Sequence, residues 1–445
     1  MTRGQSTRKM VDYLPMFSRG SSIGSFWKHA IFLFLALRVG DFVNLAAGLW
    51  FVPKYISPQE LGAVLPVTTF ATFLSLPVFA FAMTVMRESA HLSALGERGK
   101  LKTLLRGVFI VIAVLAALSL VGAALAIPRF LTAMRVPDAL VGFLVVAAAF
   151  LGCIAPVYSD ALQSLRKFNA LGLIEIIGSL ARFAVLAITM PLRALAGYFA
   201  GQTLPPLVRM AGSVFALRRD LSVPAAPYWF RPIVRKIALI FIGILAYQIA
   251  PMLAGLLEQS VIRTHLSDFD SAGFYMISRF SDFLYYLTFP LLLVMFPYTA
   301  NASETGKSTR PFVLSCSLLT LGAAVLMMVV YHFFGRELLA LLPHGADYAA
   351  LATFMPFLVL ITALTACQTF YTNAEVSAGR FGFLGWFIPV NAAYSFALFT
   401  LAGTITSLRT MLVWMAALAA LRFVLALGFM CRAHRTGTRR SANCR

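Results

Sequence analysis

KFNALG, Lys167 to Gly172, returns as RFGFLG, Arg380 to Gly385, 213 positions further along the chain. Each copy lies at a gap between long apolar runs, the fourth and fifth in one case and the tenth and eleventh in the other. Other landmarks keep nearly the same offset. Gly62 opens the second run after PQEL and Gly273 opens the eighth after FDSA, 211 positions later. Gly99-Lys100 follows the second run and Gly306-Lys307 the eighth, and both runs carry an internal proline, Pro77 and Pro290. Four landmarks in one order at one spacing point to two copies of a six-run unit.

The runs themselves define the solvent. Of 445 residues, 60% are hydrophobic and 12% charged, against about 25% charged in soluble domains. The apolar stretches repeat at roughly 20 residues, the length that crosses a bilayer as a helix. Lipid leaves no partner for free backbone groups, and the alternation of a barrel strand is missing, so the expected elements are helices. Twelve are expected, near 30–53, 63–85, 107–127, 139–159, 170–190, 194–217, 237–257, 273–298, 312–334, 350–372, 383–405 and 411–431.

Charge sets the orientation. The chain carries 37 Lys and Arg against 17 Asp and Glu, a net charge of +20. In a soluble protein this excess would suggest nucleic acid; here the cations crowd into short loops. With the N terminus inside, 25 of them fall in cytoplasmic segments, 7 in outer segments and 5 within spans. The positive-inside rule then places both termini in the cytoplasm of a bacterial inner membrane, and nucleic acid is not an expected partner. The first 29 residues read as a basic cytoplasmic lead-in, not a cleaved signal. Five cysteines without paired spacing suggest neither disulfides nor a metal site, and no cofactor is implied.

The expected architecture is an all-α, MATE-like integral membrane protein, with two parallel six-helix repeats around a central cavity. The parts are a basic arm 1–29, an N-lobe 30–217, a cytoplasmic linker 218–236, a C-lobe 237–431 and a basic tail 432–445. In transporters of this construction the substrate binds between the lobes, so transport is the leading expectation.

The stretch LRVGDFVNLAAGLWFVPKYISPQEL, 37–61, resembles the opening of polysaccharide-export flippases of the MATE-like (multidrug/oligosaccharidyl-lipid/polysaccharide) superfamily. LQSLRKFNALGLIEIIGSLARF, 162–183, is similar to the helix four to five junction of that family. The resemblance covers the twelve-helix frame; its motifs are largely hydropathic and carry no substrate signature. It implies an O-antigen-type flippase for a lipid-linked oligosaccharide on undecaprenyl pyrophosphate, serving surface polysaccharide synthesis beside polymerase and chain-length proteins. The family's lipid II flippases usually have two more spans. The acid-rich first helix of drug-exporting relatives is lacking, although Asp41 keeps a cation-coupled small-molecule exporter open.

Ionisable residues inside spans are the candidate site, since each costs about 2.5–3.5 kcal/mol on insertion scales and needs a cavity or a partner. Eight fall inside the expected spans: Arg38, Asp41, Glu175, Arg182, Arg209, Arg279, Asp282 and Arg422. RVGD at 38–41 and RFSD at 279–282 set Arg and Asp three apart on one helical face, where they can pair. Plain neutralised pairs are an equal reading of both. Five Arg against three acids leave two positive charges, which suits an anionic head group if they share a cavity; guanidinium also grips phosphate with two parallel bonds. Arg209 follows Pro205-Pro206, a pair expected to break the sixth helix and expose carbonyls; snorkelling towards Arg218 is its plainer role. Arg422 is expected to snorkel or pack. Asn44 and Gln248 complete the binding candidates, although polar residues like these more commonly join helices.

No P-loop, Gly-x-Ser-x-Gly or metal-ligand spacing occurs, so an enzyme is not expected. A membrane glycan polymerase or ligase would need a substantial outer loop, and the longest expected, 258–272 and 335–349, are short. Asp41, Glu175 and Asp282 are the acids deep enough for proton coupling.

Overall fold

In the computed structural model, the structure describes residues 35, 37–94, 96–136, 138–165, 167–228, 231–304, 308–378 and 380–442. The arm 1–29 and the Gly306-Lys307 landmark lie outside the described residues, as do 229–230 of the linker and 443–445 of the tail. Among the described residues every expected run is helical. α1 covers 37–46, passes through a π turn at Ala47–Phe51 and ends as Val52–Tyr55. α2 spans Pro58–Ala94 and α3 Arg98–Ala133, while α4 runs as Ala139–Ile154 and Pro156–Ser164. α5 is Phe168–Thr189, α6 Ala194–Leu217, α7 Arg231–His265 and α8 Asp268–Glu304. α9 spans Arg310–Ala340; α10 opens with a 3-10 stretch, Gly345–Phe354, before Met355–Ser377. α11 is Leu384–Leu401 with a terminal turn Ala402–Thr404, and α12 is Leu408–Ala442. Among the described residues there is no strand, and eight helices are long and apolar enough to cross a membrane. α1, α6 and α8, outside those eight, carry polar groups of the candidate site.

The duplication is visible in backbone bonds. Lys167 N–H donates to Leu162 O at 2.9 Å, and Arg380 N–H to Glu375 O at 2.8 Å. Both are the closing bond by which a helix end satisfies a spare carbonyl, made by the first residue of each repeated hexapeptide. The starts of α2 and α8 match as well. Ser57 Oγ lies 3.3 Å from Glu60 Oε2, and Ser267 Oγ lies 2.8 Å from Asp270 Oδ2, each a Ser-x-x-acid cap that fixes where its helix begins. Packing repeats too: α2 with α3 and α4, α3 with α4, and α4 with α6 recur as α8 with α9 and α10, α9 with α10, and α10 with α12.

Several expectations need correction. Hydropathy marks only the apolar part of a helix, whereas backbone bonding continues into the charged ends. α7 therefore begins at Arg231, inside the expected linker, and ends at His265 instead of 257. Asp160 and Glu258 consequently sit on helices that had read as free of charge. The residues 432–442, expected as a tail, prolong α12. The expected break at Pro205-Pro206 does not occur: α6 continues through both prolines. Proline is tolerated in membrane helices where neighbours re-satisfy the backbone, and here α5 packs against α6 at this point, with Gly178 facing Pro205.

The connections sort to two ends. At one, called proximal, the α6–α7 connection is tied to the α2–α3 and α4–α5 connections. Lys167 pairs with Asp220, Lys102 Nζ donates to Val223 O at 3.0 Å, and Thr103 Oγ1 donates to Ala226 O at 2.7 Å. At the opposite, distal end the two halves of the chain meet. Arg263, 1% exposed, donates from Nε to Met134 O at 2.9 Å and from Nη1 to Asp268 Oδ1 at 2.8 Å. Arg135 reaches the same Asp268 oxygen at 2.8 Å. Beneath them α2 crosses α8 closely, since a Cβ on Gly62 would fall 2.2 Å from Ser271 Oγ. Further cross-half packing joins α2 to α7 and α1 to α8.

Candidate functional site: a polar cluster between the halves

The expected RVGD and RFSD pairs both form. Arg38 and Asp41 approach to 2.8 Å, and Arg279 and Asp282 to 3.0 Å. The i, i+3 spacing places each couple on one face of its helix, and α1 presents its couple to α8: an Arg38 guanidinium N–H donates to Tyr286 O. About three turns further along both helices, Tyr275 OH donates to Gly48 O at 3.1 Å. That carbonyl belongs to the π turn, where the bonding ladder is locally shifted.

α5 and α6 complete the cluster. Arg182 of α5 donates to Asn44 Oδ1 of α1 and lies over the Tyr198 ring at 6.0 Å. Small side chains allow this approach, since a Cβ on Gly40 would stand 2.8 Å from Ser179 Oγ. Arg209 grips Glu175 at two points, Nε to Oε1 at 2.7 Å and Nη2 to Oε2 at 2.8 Å. It does not snorkel. Arg279 in turn lies over the Tyr275 ring at 5.1 Å. The paired side chains are between 19% and 37% exposed, so they border open space and are not sealed in a dry core.

Eight of the nine candidates thus fall into two linked groups: Arg38, Asp41, Asn44, Glu175, Arg182 and Arg209 in the first half, Arg279 and Asp282 in the second. Gln248 stands apart, with no hydrogen bond or ion pair to them among the described residues. Its neighbour Tyr247 instead joins α7 to α10, with its hydroxyl 3.0 Å from Thr372 Oγ1 and 3.3 Å from Asn373 Nδ2.

The charge surplus shrinks. By ion pairs and hydrogen bonds the cluster holds four guanidiniums, Arg38, Arg182, Arg209 and Arg279, against three carboxylates, Asp41, Glu175 and Asp282. Arg422 lies elsewhere. It is buried in the second half, where it donates to Asn391 Oδ1, close to Glu258, which accepts from Tyr394 OH at 2.8 Å. The odd charge is Arg182, which has no carboxylate partner among the described residues and donates instead to Asn44.

Sequence reasoning overlooked Tyr198, Tyr275, Ser179, Asp160 and Glu258. Tyr275 carried a signal, since it precedes Arg279 by four and shares its helical face. Asp160 and Glu258 were hidden because each is the first residue beyond an expected helix end, while the helices run on to Ser164 and His265.

No protein-family model matches the sequence, and a search of the curated proteins also gives no match. Solved structures do match. An inward-facing multidrug resistance MATE family transporter of the MOP superfamily superposes with a TM-score of 0.66 at 15% identity, covering 89% of this chain and 96% of that one. An outward-facing multidrug resistance MATE family transporter gives 0.62 at 16%, covering 95% and 98%. A MATE protein in the straight conformation gives 0.62 at 15%, covering 92% and 96%. At these identities the likeness is one of fold. The chain has the MATE fold.

Proposed function

We propose that this protein is a membrane transporter that moves a lipid-linked oligosaccharide, carried on a prenyl pyrophosphate, between leaflets by alternating access of its two halves. The observation that carries this reading is Arg182. A guanidinium bonded to an amide and not to a carboxylate, bordered by other arginines that are already neutralised, is an anchor for an anionic head group. The three pre-paired arginines can exchange a carboxylate for a phosphate as substrate enters. The distal contacts of Arg135, Arg263 and Asp268 agree with a chamber shut on that side, the outer one by the charge pattern.

The three Arg–carboxylate pairs also support a second reading, a cation-coupled exporter of small molecules, in which Asp41, Glu175 or Asp282 exchanges its arginine for an ion or proton. Proteoliposomes separate the two. With a fluorescent prenyl-pyrophosphate oligosaccharide in one leaflet, the flippase reading expects accelerated translocation that Arg182→Ala abolishes and Arg182→Lys partly restores. Unaccelerated translocation together with dye efflux driven by a pH gradient would establish the exporter instead.

A further inference from the structure

We propose a second ligand site, away from the chamber: a groove on the outside of the first half that seats an anionic phospholipid. The groove lies between α3, α4 and α6, has a volume of about 570 Å3 and is walled by Phe109, Tyr158, Met210, Val214 and Phe215, with Arg218 at its end. This volume falls within the range of roughly 300–1,000 Å3 for small-molecule sites. None of the polar residues of the inter-half cluster lines it.

The walls suit acyl chains. Phe109 and Tyr158 pack with centroids 5.5 Å apart, while Phe215 and Val214 are 63% and 44% exposed and open towards the bilayer. The end suits a phosphate. The Arg218 guanidinium is laid over the Phe215 ring, 4.0 Å from its centroid, which holds the charge against the apolar wall and leaves its N–H edge available. Arg106 of α3, one turn before Phe109, lies within electrostatic reach of Tyr158 without lining the groove itself. Neither arginine has a carboxylate partner among the described residues; the nearby Asp220 is engaged by Lys167 and Arg98. A guanidinium without a carboxylate at the end of an apolar trough, with a second arginine nearby, suits an anion with a hydrocarbon tail. The groove lies at the proximal end, where the charge pattern places the anionic leaflet and where basic pockets between helices hold lipid head groups.

The test uses the purified full chain stripped of lipid in neutral detergent, with thermal unfolding and native mass spectrometry as readouts. Phosphatidylglycerol is expected to raise the unfolding midpoint and remain bound as one lipid per chain, while phosphatidylcholine of the same chains does neither. In the Arg106→Gln/Arg218→Gln variant the affinity for phosphatidylglycerol falls at least roughly tenfold, as expected for a lost charged hydrogen bond. Val214→Trp fills the trough, keeps both arginines and weakens binding in the same way, so the site stays testable if the double variant does not fold. Equal effects of the two lipids, an unchanged preference in both variants, or a matching response to inorganic phosphate alone would overturn the site. So would stronger retention of a prenyl phosphate than of phosphatidylglycerol, which would assign the groove to the transported substrate.

Discussion

Arg135 and Asp268 stand 133 positions apart in the chain and 2.8 Å apart in space, one from each half. Arg135 also adopts a left-handed backbone, φ 58°, at the end of α3. For a residue with a side chain that conformation costs roughly 1–2 kcal/mol, and glycine is its usual occupant. Its occupation by arginine fits a position held for the reach of the guanidinium across the gap.

Arg135→Gly separates those two effects. It relieves the backbone and removes the cross-half bond, so stability is expected to change little while the distal contact loosens. A reporter cysteine at Ser271, 1% exposed against Gly62, should react faster with a bulky maleimide in the Arg135→Gly background than in the parent. An equal rate in both would show that the pair does not hold the halves together.

Asp268→Asn acts more severely. It leaves Arg263 buried without its counter-charge; because Asp268 is itself half-exposed, the cost falls below the roughly 3–5 kcal/mol of a fully buried pair broken from one side. A large drop in the unfolding midpoint is expected, absent for Arg336→Gln, an arginine that pairs with no carboxylate among the described residues. Comparable midpoints for the two variants would contradict the assignment.

The crossing of α2 and α8 gives a steric test. Gly62→Ala puts a methyl 2.2 Å from Ser271 Oγ and 2.7 Å from its Cβ, and overpacking of this kind typically costs about 1–3 kcal/mol. Adding Ser271→Gly removes both atoms and should restore much of the lost stability. Non-additivity in thermal unfolding reads the contact directly.

Arg182 and Arg209 should part company. Arg209→Ala strands Glu175 and is expected to destabilise the chain, with recovery in the Arg209→Ala/Glu175→Gln double variant. Arg182→Ala strands no acid, so it should fold like the parent and lose only substrate binding. Equal thermal losses for both single variants would remove Arg182 from its role as the anchor.

The frame was legible because lipid imposes it. Run lengths near 20 residues, the recurring hexapeptide and the two Arg-x-x-Asp pairs all carried through to helices, junctions and bonds in the places expected. The cluster was less legible, for two physical reasons. Partners such as Arg182 with Asn44, or Arg209 with Glu175, lie on different helices, and hydropathy says nothing about which helices touch. Helix ends are drawn by polarity, yet Asp160 and Glu258 are polar and still inside. Those two acids were left out of the charge count that the sequence suggested. The Pro205-Pro206 pair misled for a related reason: a neighbouring helix can support a backbone that looks broken in isolation.

The π turn in α1 has a consequence for how this gene can lengthen and shorten. Each residue in an α-helix advances the side chains by about 100°, so a one-residue deletion elsewhere in the helix would swing Arg38 and Asp41 away from α8. Within Ala47–Phe51 the chain already carries a wider, five-residue loop. A deletion there can be absorbed by tightening to an ordinary turn, with both flanks kept in phase. This short stretch is where α1 can tolerate a change of length.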